Sequence, residues 1–115
     1  MIEQLSKYTK WWNEFVEWMD GKGFYLMPKE IHISNKHKFM HKEFAYMISD
    51  RELLSLLVEF CDSKNYFIEY SHTGTNWLTY IYKQETETTF NLDTKATRTE
   101  ATQQAVVKCF ELMVS

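Results

Sequence analysis

Residues 66–92 read YFIEYSHTGTNWLTYIYKQETETTFNL, and this stretch decides the fold. Residues 66–70 and 77–83 are rich in β-branched and aromatic types, and a loop with turn-forming residues around Gly74 separates them. Residues 88–92 alternate with period two, which is typical of a third strand. The stretch therefore predicts an antiparallel meander of three strands.

Helix signals lie on both sides of this meander. In a capping box, a hydroxyl accepts a hydrogen bond from the third helical amide, and a glutamate reaches back to the amide of the cap residue. The sequence has this form twice, in Ser49-Asp50-Arg51-Glu52 and in Thr97-Arg98-Thr99-Glu100. The two boxes predict helices over residues 49–63 and 97–113. A further helix over residues 2–20 is predicted by the helical spacing of Leu5, Tyr8, Trp12, Phe15 and Met19.

A small meander cannot bury its own apolar face, so the predicted helices must cover it. We predict one α+β domain over residues 1–115, in which three helices pack on both faces of a small antiparallel sheet of three to four strands. The order is helix, irregular or β segment, helix, β-meander, helix. Residues 24–47 stay open between strand, helix and loop.

Composition excludes several classes of protein. The chain has 115 residues and a mass of 13.9 kDa, which is enough for one hydrophobic core. One proline, three glycines and 44% hydrophobic residues exclude disordered and low-complexity classes. No apolar run reaches the ~18 residues of a membrane span, and the N-terminus lacks the pattern of a signal peptide. Two cysteines do not make a disulfide framework, so we expect a cytoplasmic protein without a membrane partner.

Charge is distributed unevenly along the chain. The net charge is −3, but four lysines and one acid between Pro28 and Lys42 give that segment +3 and leave −6 for the rest. His32, His37 and His41 lie in the same segment and would add positive charge below about pH 6.5. A basic patch on an acidic body indicates a partner surface of opposite sign.

Few residues offer catalytic chemistry. Cys61 and Cys109 lie on the apolar stripes of predicted helices, where a thiol is a buried hydrophobe with a raised pKa. The three histidines are the only candidate zinc ligands, with Glu30 or Glu43 to complete a set, but the neighbouring lysines would repel the ion. No glycine-rich loop could hold a phosphate. We therefore predict no catalytic residue, no metal site, no cofactor and no enzyme activity.

A family resemblance covers roughly residues 49–113. It rests on the order of helix, hairpin, third strand and small-residue helix, and on Lys95-Ala96-Thr97-Arg98-Thr99-Glu100-Ala101 followed by Ala105. This arrangement resembles small phage and prophage proteins of the ABA-sandwich type, whose last strand runs into a motif with a Thr-x-x-Glu-Ala core. Such proteins often carry proline where this chain has Arg98. The resemblance implies a viral or mobile-element origin in a bacterial host, and it transfers no active site.

Together these observations predict a non-enzymatic phage or mobile-element accessory protein that binds and inhibits a host defence factor. An anti-CRISPR-type inhibitor of an effector nuclease, or of its guide-RNA complex, is the most concrete form. The alternative is an RNA or single-stranded nucleic-acid binding module that uses the basic 29–42 segment. The predicted partner-binding residues are Lys29, Lys36, His37, Lys38, Phe39, His41 and Lys42, with Trp11 and Trp18 beside the core stripe of the first helix. The oligomeric state stays open.

Overall fold

Four helices and one sheet make up the part of the chain that the computed structural model describes, residues 2–22 and 50–114. In chain order they are α1 Ile2–Leu5, α2 Thr9–Gly21, α3 Asp50–Ser63, β1 Tyr66–His72, β2 Trp77–Lys83, β3 Thr88–Asn91 and α4 Arg98–Val114. The strands form an antiparallel sheet in the order β1-β2-β3. The predicted α+β class and the meander are confirmed, whereas the open question over residues 24–47 lies outside the described residues.

The register of the sheet places one row of apolar side chains on a single face. Ile68 of β1 lies opposite Ile81 of β2, and Ile81 lies opposite Phe90 of β3. Because side chains alternate along a strand, this row determines which residues face the core and which face away from it. The loop between β1 and β2 contains Gly74, whose φ of +94° lies in the region that favours glycine.

The described elements form three layers. Helices α3 and α4 pack side by side on the face of the sheet that carries the apolar row, and α1 and α2 pack on those two helices. Thr79 of β2 is completely buried, and its hydroxyl donates to the carbonyl oxygen of Ala101 in α4 at 3.4 Å. We expected helices on both faces of the sheet. Within residues 2–22 and 50–114, however, the helices lie on one side of it.

Three phenylalanines join the helical layers. Phe15 of α2, Phe60 of α3 and Phe110 of α4 are completely buried. The ring centroids are 5.3 Å apart for Phe15 and Phe60 and 6.0 Å apart for Phe60 and Phe110. Full burial of a phenylalanine side chain stabilises a fold by about 2–3 kcal/mol, so this cluster is a main source of cohesion between the helices.

The two cysteines meet between α3 and α4. Cys61 and Cys109 are completely buried free thiols. Hydrogen bonding to Cys109, together with burial, raises the pKa of the Cys61 thiol well above its usual value. The prediction that the cysteines are buried hydrophobes with a raised pKa is therefore confirmed for Cys61, and the burial is confirmed for both.

The helix predicted over residues 2–20 is divided in the structure. Helix α1 ends at Leu5 and α2 begins at Thr9, so the prediction of one continuous helix is wrong. Between them, the amide of Tyr8 donates to the carbonyl of Leu5 at 3.0 Å, and the ψ of Tyr8, 68°, is not helical. The Ser6 hydroxyl donates to the carbonyl of Glu3 at 3.3 Å, and such local bonds compete with a continuing helix. Leu5 is nevertheless completely buried, so the predicted apolar stripe still reaches the core.

The second predicted capping box begins α4 with a modified bonding pattern. The amide of Glu100 donates to Thr97 Oγ1 at 3.1 Å, as a capping box requires. Thr97 Oγ1 in turn donates to the Glu100 carboxylate at 3.0 Å, and this bond takes the place of the expected one from the backbone amide of Thr97. Helix α3 begins at Asp50, next to the first predicted box, but Ser49 lies outside the described residues.

Replacement Thr97→Ala should lower the free energy of unfolding by about 1 kcal/mol, because it leaves an amide in the first turn of α4 without its acceptor. Urea denaturation followed by circular dichroism measures this change. Thr99→Ala is the matched control, since Thr99 is exposed in the same turn. Equal stability of the two variants would contradict a capping role for Thr97.

Candidate partner-binding surfaces

The face of the sheet that points away from the helices carries an aromatic surface. The register places eight side chains on it, and we call this set the outer face: Phe67, Glu69 and Ser71 of β1, Leu78, Tyr80 and Tyr82 of β2, and Thr89 and Asn91 of β3. Phe67 lies opposite Tyr82, Glu69 opposite Tyr80 and Ser71 opposite Leu78. Side chains that are directly opposite on one face are about 5 Å apart at their Cβ atoms, so the rings form one continuous patch.

The large apolar side chains of the outer face are not part of the core. Phe67, Leu78, Tyr80 and Tyr82 are half-buried, and none of them packs against the cluster of buried residues in the described part of the chain. By contrast, the other face of the sheet contributes to that cluster: Ile81 belongs to it, and Ile68 and Phe90 pack against it. The outer face therefore holds more aromatic surface than the packing of residues 2–22 and 50–114 uses.

Tyr80 and Glu69 form a polar pair at the centre of the outer face. Hydrogen bonding to the Glu69 carboxylate, together with its negative charge, raises the pKa of the Tyr80 phenol. A carboxylate that accepts from a phenol keeps lone pairs for further donors. The pair can therefore accept hydrogen bonds from a partner at the centre of an otherwise apolar patch.

The outer face has a negative charge and no positive one. Glu69 is its only ionisable acid, and two further acids, Glu85 and Glu87, are exposed in the adjoining turn between β2 and β3. Lys83 at the end of β2 belongs to the opposite face, where its Nζ lies 5.6 Å from the ring centroid of Tyr66. This combination of aromatic rings and carboxylates favours a cationic partner.

Trp18, one of the two predicted anchors, is half-buried beside the phenylalanine cluster. Its ring centroid lies 6.0 Å from that of Phe15 and 5.6 Å from that of Phe60. The Nζ of Lys22 lies 4.6 Å from the Trp18 ring centroid, and the same ammonium is 3.0 Å from a Glu59 carboxylate oxygen. Much of this ring is thus engaged within the domain, and its role as a partner contact stays a prediction.

Trp11, the second predicted anchor, has similar surroundings at the other end of the contact between α2 and α3. It is half-buried and packs against the core cluster. Two ammonium groups lie near its ring centroid, that of Lys10 at 4.9 Å and that of Lys64 at 5.6 Å. Lys64 is also ion-paired with Glu14. Exposed ion pairs contribute little to stability, so the main effect of these lysines at Trp11 is the contact between their ammonium groups and the indole ring.

The remaining predicted site residues lie outside the described part of the chain. They are Lys29, Lys36, His37, Lys38, Phe39, His41 and Lys42, so the structure does not test them. His32 and the acids considered with it as zinc ligands, Glu30 and Glu43, lie in the same stretch. Among residues 2–22 and 50–114, no three His, Cys, Asp or Glu side chains are grouped so that they could hold a metal ion.

The outer face was not identified from the sequence, although a signal for it was present. Alternation places Tyr66, Ile68 and Tyr70 on one face of β1 and Phe67 on the other, but alternation alone does not say which face packs on the helices. The deciding residue is Thr79, a polar residue that the structure buries completely. Because Thr79 faces the helices, the tyrosines on either side of Ile81 must face away from them.

Comparison of the chain with protein-family models, with curated protein sequences and with solved structures found no match. The resemblance to phage proteins of the ABA-sandwich type therefore stays a prediction. No helix in the described ranges is long and apolar enough to span a membrane.

Replacement Glu69→Gln should lower the pKa of Tyr80 towards the ordinary tyrosine value of about 10, because the charged acceptor of its hydrogen bond is removed. A pH titration of the Tyr80 ring carbon resonances by NMR measures this change. Glu85→Gln serves as the control, since Glu85 is in the adjoining turn and does not contribute to the raised pKa of Tyr80. If the titration of Tyr80 is the same in Glu69→Gln as in the unaltered protein, the pair does not exist.

Proposed function

We propose that this protein is a non-enzymatic inhibitor that binds a host nucleic-acid-binding protein through its outer face. The concrete form is an anti-CRISPR-type inhibitor of an effector nuclease, produced by a phage or mobile element in the bacterial cytoplasm. One observation carries the proposal: three aromatic rings and a carboxylate lie together on a sheet face that, within the described residues, contains no cation and does not pack against the core.

The chemistry of the outer face suits a partner surface rich in arginine. A guanidinium group stacks on tyrosine and phenylalanine rings and donates two parallel hydrogen bonds to a carboxylate. Phe67, Tyr80 and Tyr82 supply the rings, and Glu69 supplies the carboxylate. Surfaces that bind nucleic acid are themselves rich in arginine and lysine, so an inhibitor that occupies them competes with the nucleic acid.

The size of the outer face indicates that it is the centre of a larger contact. Strand spacing and rise give it roughly 10 Å by 14 Å, whereas a stable protein complex buries about 800 Å² on each partner. Aromatic anchors at the centre of an interface contribute most of the binding energy, and the surrounding contacts exclude water. The acidic turn with Glu85 and Glu87 adjoins the outer face and would lie at its rim.

Charge also favours this proposal over the nucleic-acid alternative for the described part of the chain. Residues 2–22 and 50–114 contain nine Lys and Arg against fourteen Asp and Glu, a net charge of −5. Such a body repels a phosphate backbone. RNA binding would therefore depend on the basic 29–42 segment, which lies outside the described residues.

A cleavage assay with purified, guide-loaded CRISPR effector nucleases tests the proposal. We expect one of them to lose activity in proportion to the amount of added protein, with an end point near one equivalent. Glu69→Lys and Tyr82→Ala should each weaken this inhibition at least about tenfold, because a central charge or ring is lost. Glu3→Lys is the matched control, since it makes the same charge reversal at an exposed position on α1.

Two results would contradict the proposal. Inhibition that is equally strong in Glu69→Lys and Glu3→Lys would remove the outer face from the contact. If no nuclease is inhibited, and the protein instead binds labelled single-stranded RNA with an affinity that falls as salt increases, the nucleic-acid alternative would be favoured. Thermal unfolding of each variant shows that a loss of inhibition is not a loss of folding, and neither Glu69 nor Tyr82 packs against the core cluster of the described residues.

A further inference from the structure

A second surface, independent of the outer face, lies between α3, α4 and β1. It is a cleft of about 460 Å³ lined by Arg51, Leu54 and Ser55 of α3, Tyr70 of β1, and Arg98 and Thr102 of α4. We call it the arginine cleft. Among the described residues that line it none is acidic, although the described body as a whole is acidic. The cleft is therefore a local site of positive charge.

Arg98 is held in place by aromatic rings. Its guanidinium carbon lies 4.6 Å from the ring centroid of Tyr70 and 5.7 Å from that of Trp77. The rings of Tyr70 and Trp77 are perpendicular, with centroids 6.4 Å apart. A guanidinium group that stacks on a ring keeps its N–H donors in its own plane, so they stay available to an anion.

The hydroxyl groups of Tyr70 and Thr102 hold the Tyr70 ring in place beside Arg98. Thr102 is 5% exposed, and its hydroxyl donates to the carbonyl oxygen of Arg98 at 2.8 Å. Thr102 has one proton to give, so the Tyr70 phenol must be the donor in the 2.8 Å bond between Tyr70 and Thr102. The phenol proton of Tyr70 is thus used in the bond to Thr102, and it is the ring of Tyr70 that supports Arg98.

Neither arginine of the cleft has a carboxylate partner in the described part of the chain. The ion pairs found there involve Lys22, Lys64 and Lys108, and neither Arg51 nor Arg98 takes part in one. Arg51 and Arg98 also occupy the first turns of α3 and α4, where the helix dipole disfavours a cation. Two cations that face one cleft without a counter-charge are stabilised when an anion binds between them.

The floor of the cleft is apolar. Leu54 is 9% exposed, Val58 is half-buried, and both line the cleft with the ring of Tyr70. A bare inorganic anion would leave this floor unused. The volume lies within the range of small-molecule sites, about 300–1,000 Å³. The two arginines supply the charge and the N–H donors that a phosphate requires, and the floor suits a larger apolar body attached to it.

We propose that the arginine cleft binds a small phosphorylated ligand of nucleotide size, with its phosphate between Arg51 and Arg98 and its organic part on the apolar floor. The inference does not depend on the proposed function, since the cleft shares no residue with the outer face. It also assigns a role to Arg98, a cation at the first position of α4.

Isothermal titration with adenosine 5′-monophosphate at low salt tests this proposal. We expect binding that Arg51→Ala and Arg98→Lys each weaken at least about tenfold, because hydrogen bonds from a charged donor to phosphate are strong. Arg98→Lys keeps the positive charge but removes the planar guanidinium group. It therefore distinguishes bidentate hydrogen bonding to the phosphate from electrostatic attraction alone. Lys108→Ala removes a cation from the far half of α4 and should leave the affinity unchanged.

Ligand variants identify which part of the nucleotide is recognised. Adenosine, which lacks the phosphate, and inorganic phosphate, which lacks the organic part, should each bind at least about tenfold more weakly than the nucleotide. Equal affinity for adenosine and the nucleotide, or an affinity that Arg51→Ala and Arg98→Lys do not change, would overturn the phosphate site. Equal affinity for inorganic phosphate would overturn the nucleotide-sized ligand.

A competition experiment distinguishes a free nucleotide from nucleic acid as the ligand. Single-stranded RNA without a terminal phosphate should not compete with the nucleotide. If such RNA binds through Arg51 and Arg98 while the nucleotide does not, the ligand is a polymer and the proposal fails. Circular dichroism melting of each variant shows that a loss of binding is not a loss of folding.

Discussion

The close approach of α4 to the central strand β2 is the constraint on which the rest of the structure depends. Ala101 and Ala105 are completely buried in the first half of α4, and their small side chains allow the helix backbone to approach the sheet. The chain that leads into α4 is held by the sheet itself, since the amides of Trp77 and Lys95 each donate to the carbonyl of the other, at 2.7 and 2.8 Å. The start of α4 is therefore fixed at the edge of β2. A helix this close leaves room for only moderate side chains beneath it, which explains why β2 presents Thr79 and Ile81 inwards.

The aromatic outer face follows from the same constraint. A sheet that is covered on one face normally directs its largest apolar side chains into the core. Beyond Trp77 the central strand does the opposite, because Thr79 and Ile81 fill the narrow space under α4 while Tyr80 and Tyr82 point away. The position of the tyrosines therefore has no explanation in the packing of the described domain. Their hydroxyl groups and the neighbouring carboxylate of Glu69 make the outer face wettable, so the domain can carry aromatic surface that a partner can still bind.

Local signals made most of the fold predictable, and long-range contacts explain what was missed. The second capping box, the period-two strands and the turn residues act over a few positions, so residues such as Thr97 and Gly74 could be interpreted from the sequence alone. The break between α1 and α2 was missed because the 3-4 spacing of the apolar residues continues across it, whereas the break depends on hydrogen bonds of Ser6 and Tyr8. The arginine cleft was missed for a different reason: Arg51 and Arg98 are 47 positions apart, and only the packing of α3 beside α4 brings them to one cleft.

Arg98 shows how one residue can join local structure to a candidate binding site. At the first position of α4, a proline would suit the helix geometry and an acid would suit the dipole, so an arginine there is the least favourable of the three for helix stability. Its stacking on Tyr70 and Trp77 offsets part of this penalty and at the same time fixes the direction of its donors. The domain thus presents two surfaces of opposite chemistry: an acidic aromatic face on the outside of the sheet and a basic cleft beneath the start of α4. Because the sheet separates the two surfaces, a macromolecular partner on the outer face does not block a small ligand in the arginine cleft. Strand β2 contributes to both, with Tyr80 on the outer face and Trp77 beside Arg98.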